Sequence, residues 1–131
     1  MAELPDTVRH ALEGPNFWYL ATLNPDGSPQ VTPVWVGTRD DGTIFVNSHT
    51  GRVKQRNLDG DPRVALATHD PDSPYSNIAI QGRVVDRIDG AQAEEDIHTL
   101  ARKYTGGDYS LQPGEQRVTW VIEPAQVWER A

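Results

Sequence analysis

Proline and glycine interrupt the apolar runs of this chain so often that most of them have room only for strands. "FWYLATL" is closed by "NPDG", "VTPVWV" is broken by Pro33, and "RVALATHD" follows "DGDP". Ten prolines and eleven glycines in 131 residues make turns frequent, which argues for a strand-rich globular domain rather than a helical bundle. The length suits one domain, 1–131, with a modest core of its own.

Read in order, "LPDTVRHALEG" predicts a short helix. Asp6 or Thr7 can cap it, Leu4, Val8, Ala11 and Leu12 form its apolar stripe, and Gly14 stops it. "NFWYLATL" predicts a strand, and "NPDG" a turn with Pro25 second and Gly27 closing. "SPQVTPVWVG" predicts a second strand. Its prolines cannot donate to a ladder, so part of it must be an edge or a bulge. "TIFVNS" is a third strand, with Ile44 and Val46 on one face. One or two helical turns before Pro62 lead to two more strands, "RVALATHD" and "YSNIAIQGRVVDRID", with Gly82 a candidate bulge. "GAQAEEDIHTLARKYTGG" is the best helix: Ile97, Leu100, Ala101 and Tyr104 recur at helical spacing, with acids early and Arg102 and Lys103 late. "RVTWVIEPAQVWER" supplies one or two closing strands. Short connections favour antiparallel hairpins, and a small β-barrel with peripheral helices is the economical expectation.

Composition narrows the function classes. A net charge of -7 opposes a generic role on nucleic acid or anionic membranes, because repulsion acts against approach to polyphosphate. Without cysteine there is no disulfide, thiolate zinc site or cysteine nucleophile. His10, His49, His69 and His98 lack metal-ligand spacing, and no nucleophile-elbow glycines flank a serine, so neither a metal site nor a hydrolase is expected. No membrane-length apolar run or leader-like segment stands out, and a cytoplasmic location is the expectation.

One segment runs against the overall charge. In "NSHTGRVKQRNLDGDPRVAL", Arg52, Lys54 and Arg56 fall together with no acid between them. Arg52 and Lys54 cannot share a face of a regular helix at this spacing. They can converge on one ligand if the segment after Asn47 is a loop running into a helix N-terminus, which is itself an anion site. Ser48 and Thr50 add hydroxyls, and Gly51 allows close backbone approach. A solvated basic turn offsetting Asp59 and Asp61 accounts for the same residues. No Walker or Rossmann glycine pattern is present.

The flanks make the pattern specific. "FWYLATLNPDGSPQVTPVWV", "NSHTGRVKQRNLDGDPRVAL", "DPDSPYSNIAIQGRV" and "RKYTGGDY", in that order and spacing, resemble the pyridoxamine-5'-phosphate-oxidase-like split β-barrels. The likeness runs from about Phe17 to the end and is strongest to the actinobacterial branch that binds the deazaflavin coenzyme F-420.

The resemblance implies a mainly β, antiparallel, Greek-key-like split barrel, forming homodimers with cofactor sites between subunits. Arg52 and Lys54 match the pair that holds the cofactor phosphate. Asn47 and Ser48 match positions bonding the same region, with Thr50 a weaker candidate. Gln30 and Thr32 match strand positions beside the ribityl chain and ring, with Val31 and Pro33 lining that pocket. Asn57 matches an asparagine that orients the loop or helix more than it touches ligand. Pro33 stands where some relatives carry a polar side chain, and Trp35 where some carry glutamine, which bears on the substrate side. Trp35 and Tyr75 are candidate substrate contacts, and Trp35 fits a core or dimer-interface aromatic as well.

The activity implied is hydride transfer from reduced F-420 to a small conjugated organic acceptor, with no metal, nucleic acid or membrane partner and no assigned proton donor. An FMN-dependent enzyme of the same fold acting on pyridoxamine phosphate is the first alternative. "PAQVWERA" does not carry the arginine-bearing C-terminal segment expected of it. A non-catalytic F-420 carrier is the second.

Overall fold

A strand with two prolines needs an edge, and the computed structural model, which describes residues 1–131, puts it at one. Helix α1 (Asp6–Glu13) precedes β1 (Trp18–Leu23), β2 (Pro29–Val34), β3 (Gly37–Thr38) and β4 (Ile44–His49). Helix α2 (Val53–Gly60) leads to β5 (Arg63–Asp70) and β6 (Ser73–Ile88), and α3 (Gly90–Thr105) to β7 (Arg117–Arg130). All seven strands form one sheet in the order β2-β1-β5-β6-β7-β4-β3, antiparallel at each pairing.

Strands β2 and β3 lie at opposite edges of that sheet, yet only Trp35 and Val36 separate them in sequence. So short a link spans about 10 Å at most, so the sheet must curl until its edges nearly meet. The result is a mainly β split barrel with peripheral helices. Strands β4 and β5 are not neighbours, and α2 carries the Greek-key-like crossing between them. Val36 lies in the seam, outside both strands, and its backbone needs partners from elsewhere. Helix α3 supplies them: the Val36 N–H donates to the Tyr104 hydroxyl (3.1 Å) and Lys103 Nζ donates to the Val36 carbonyl (2.7 Å).

Inward-facing residues fill the barrel. Trp18, Leu20, Ile44, Trp120 and Ile122 are fully buried, joined by Val8 and Leu12 of α1. Phe45, on the other face of β4, packs with Ile97 and Leu100 of α3. Gly82 sits at a register shift between β6 and β7, where a Cβ would lie 2.8 Å from the Glu123 carbonyl oxygen. That is the bulge expected there.

Two local expectations need correcting. Neither Asp6 nor Thr7 caps α1: Pro5 holds the cap position without a side-chain bond, while Asp6 lies in the first turn facing Arg9. The second strand stops at Val34 and does not run on to Gly37, because Gly37–Thr38 pairs with β4 at the opposite edge. The closing segment, expected as one or two strands, is one long strand with register shifts opposite β6.

Candidate anion and cofactor site

Sequence places the cationic step between β4 and α2, and the backbone there has the geometry that convergence requires. Gly51 adopts φ +92°, a left-handed conformation that an L side chain would strain, and Arg52 then takes the N-cap position of α2. Lys54 is the second residue of the helix. No side chain caps this N-terminus and no acid sits in its first turn, so its dipole is not offset from within the helix. Arg52 Nε donates to His49 Nε2 (2.9 Å), and His49 Nδ1 lies 3.0 Å from the Thr50 carbonyl, which sets the imidazole in its Nδ1-protonated tautomer.

Arg52 and Lys54 line a groove of ≈ 200 Å³. Asn47, Ser48, Pro33 and Trp35 line it too, so six of the residues singled out from sequence come together. No acidic side chain faces it. Burial, and after it the neighbouring Arg52 and Arg117, holds the Lys54 ammonium below the ordinary lysine pKa. Desolvation and like charge both disfavour a cation, which is the condition a bound anion would relieve.

Aromatic side chains line the groove as well. Trp35 stacks on Tyr104 with ring centroids 5.3 Å apart and 8° between planes, and Phe17 meets the same tyrosine at 5.7 Å. Phe17 lines the groove and is 56% exposed.

Other candidates lie elsewhere. Gln30, Val31 and Thr32 sit further along the β2 edge and do not line the groove. Thr50 lines an adjoining cleft. Asn57 is buried: its Nδ2 donates to Thr22 Oγ1 (3.1 Å) and Asn24 Oδ1 (3.0 Å), tying α2 to β1 and the turn after it. Tyr75 is exposed near the β5–β6 hairpin, its ring 5.9 Å from the Arg130 guanidinium and away from the cationic groove. A larger groove of ≈ 660 Å³ lies near that hairpin, but Asp70 and Glu129 line it alongside Arg130, so it lacks a net cationic floor.

Sequence reasoning missed Arg117, Tyr109 and Phe17, all at the groove. The signal for Arg117 was present: one arginine heads the closing strand just before its mostly apolar run, "VTWVI".

Comparison with known proteins identifies the family and the fold. The sequence pattern of the pyridoxamine 5'-phosphate oxidase family matches residues 4–131. The chain belongs to that family. A pyridoxine/pyridoxamine 5'-phosphate oxidase of Azorhizobium caulinodans is 30% identical over 112 residues, covering 83% of this chain and 50% of that protein. One from Rubrobacter xylanophilus is 39% identical over 62 residues, or 47% of this chain and 28% of that protein. The chain thus spans half or less of the length of these relatives. Among solved structures, an F-420 reductase superposes with a TM-score of 0.82 at 31% identity, covering 95% of this chain and 98% of that one. A conserved hypothetical protein of Mycobacterium tuberculosis shares the fold at 21% identity and a TM-score of 0.75, over 98% of this chain and 85% of that one. A flavin-type oxidoreductase fold follows. No helix is long and apolar enough to cross a membrane.

Proposed function

We propose that the protein is an oxidoreductase using the deazaflavin coenzyme F-420 for hydride transfer to a small conjugated organic acceptor. The carrying observation is the meeting, in one groove, of a cationic helix N-terminus and a stacked aromatic wall. The donor set suits a phosphorylated, planar cofactor: Arg52 grips a phosphate through a planar fork and Lys54 as a point charge. Trp35, Phe17 and Pro33 offer flat apolar surface that orients a ring and keeps water from it. When bound, the deazaflavin supplies the hydride chemistry, and the protein's part is binding, orientation and shielding.

A groove of ≈ 200 Å³ is smaller than the roughly 300–1,000 Å³ of typical ligand pockets, which favours a second surface completing it. We take that surface to be a second copy of this chain. Pro33, Tyr19, Ala67, Ala79 and Trp128 pair in register across five strands, forming an apolar row on the outer face that starts at the groove's own Pro33. Tyr19 is 47% and Trp128 50% exposed, much apolar surface for a lone monomer to present.

The curated relatives favour a second reading, an FMN-dependent oxidase-like enzyme, which the same phosphate grip would serve. Fluorescence separates the two, because Trp35 lines the groove. Quenching by micromolar F-420, and much less by FMN, is expected. Equal or preferred FMN binding would overturn the deazaflavin assignment. A carrier role would be left only if no acceptor in a broad screen oxidised the reduced cofactor.

A further inference from the structure

Arg117 is 7% exposed and comes from the start of β7, far in sequence from the cationic step, yet it lines the same groove as Arg52 and Lys54. Its guanidinium is fixed on two of three nitrogens. Nε donates to Asn47 Oδ1 (2.8 Å), and Nη1 to Glu115 Oε2 (2.9 Å) and the Tyr109 hydroxyl (3.4 Å). The Tyr109 ring lies 4.8 Å from Cζ. Nη2 alone has no protein partner.

Asn47 is held as tightly. Its Nδ2 donates to the Ala93 carbonyl and to Thr119 Oγ1, each at 2.9 Å, and the Thr119 hydroxyl donates to Asp96 Oδ2 at 2.8 Å. Gln92 Nε2 donates to the other Asp96 oxygen at 2.9 Å. Both Asn47 amide hydrogens and its carbonyl oxygen are therefore committed within the protein. Little is left to hold a ligand, and what the amide does is hold Arg117.

Charge balance points the same way. Arg52, Lys54 and Arg117 line the groove, and the carboxylate paired with them, that of Glu115 on Arg117, lies outside its lining, which leaves two positive charges in excess. A bound phosphate group would offset that excess, in full as a monoester carrying about −1.5 to −2 near neutral pH and in part as a diester. Arg117 lines both this groove and the adjoining cleft that holds Thr50 and Glu115, so its unbonded nitrogen belongs to a side chain bordering two cations.

We infer that Arg117 is a third anion-binding residue of this site, presenting Nη2 to the ligand phosphate, with Asn47 its positioning residue through the Thr119–Asp96–Gln92 chain. This rests on the phosphorylated-cofactor reading above, though not on which cofactor it is. Glu115 sets the strength of the grip by partly neutralising the guanidinium from its other side.

The test compares ligands differing only in phosphate, FMN against riboflavin, with thermal stabilisation by inorganic phosphate at constant ionic strength as a probe independent of any ring. Arg117→Gln should weaken FMN about tenfold or more, leave riboflavin unchanged and diminish the phosphate-induced shift. Arg117→Lys should recover part of the loss, and Asn47→Ala should give a smaller loss with the same phosphate selectivity. Glu115→Gln should tighten FMN and enlarge the phosphate shift, a gain that impaired folding cannot mimic. Equal effects of Arg117→Gln on FMN and riboflavin, or no gain from Glu115→Gln, would overturn the assignment. A wild-type protein indifferent to phosphate in both assays would overturn the anion site itself. Preference of FMN over F-420 would remove only the deazaflavin reading.

Discussion

Trp35 and Tyr104 stack almost parallel, 8° apart, across the seam where the two edges of the barrel approach. The same tyrosine hydroxyl donates to the Asn16 carbonyl (2.6 Å) and accepts from the Val36 N–H (3.1 Å), so one side chain closes the seam and supports the groove's aromatic wall. Removing the hydroxyl alone, in Tyr104→Phe, keeps the stack and strands two backbone groups. A loss of about 1–3 kcal/mol in denaturant unfolding is expected. Tyr104→Ala should cost more and also weaken ring binding, because Trp35 loses its support. Equal stability of Tyr104→Phe and wild type would refute the seam role.

Lys103 ties the same seam, donating to the Leu12 and Val36 carbonyls with no carboxylate partner. Burial pulls its pKa from 10.5 down to about 8. Between those values the unfolded chain holds a proton that the folded protein has released, so stability should rise with pH from about 8 to 10.5. The neutral amine still has two N–H donors for the two carbonyls. Urea unfolding across this window should show the rise in wild type and lose that component in Lys103→Met.

Arg52 and Lys54 predict a phosphate-specific loss. Each single alanine variant should weaken the phosphorylated cofactor by about 1.5–3 kcal/mol, with coupling in the double variant. Because Lys54 already has a lowered pKa, affinity should decline with rising pH earlier than an ordinary lysine would dictate. Binding should take up protons in that range, measurable by calorimetry in buffers of different ionisation enthalpy. Unchanged affinity in the double variant rules out the phosphate role.

Gly82 tests the bulge. Its would-be Cβ meets the Glu123 carbonyl oxygen at 2.8 Å and Ile122 Cγ2 at 2.9 Å, and a paired strand cannot easily yield. Gly82→Ala should destabilise by about 1–3 kcal/mol without altering phosphate affinity. A neutral substitution would mean that the strand relaxes.

The apolar outer row predicts self-association. Tyr19→Glu places a charge in its middle, opposite Pro33 and Ala67, and should shift the protein toward monomer in sedimentation. Cofactor affinity should fall with it if the partner completes the groove. A strictly monomeric wild type would remove the shared site.

Local chemistry made much of this protein legible in advance. Prolines at 29 and 33 forced an edge strand because they lack a donor. The spacing of Arg52 and Lys54 required a loop-to-helix junction, and Gly51 and the N-cap arginine supply it. Apolar periodicity located α3, and Gly82 marked the bulge. What these signals share is range: each depends on a few neighbouring residues. The cap of α1 escaped because Thr7 instead donates to Glu129, at the far end of the chain.

The closure of the barrel and the membership of the groove depended on contacts between distant residues. Gly37–Thr38 left the second strand because pairing with β4 competes with local continuity. Arg117 reached the site because register sets His49 opposite Arg117 and Asn47 opposite Thr119, alignments no local pattern encodes. The sequence by itself determined the strands, the edge and the cationic turn. Only the tertiary structure decided which distant residues meet that turn, because burial and register are properties of the closed sheet and not of any segment within it.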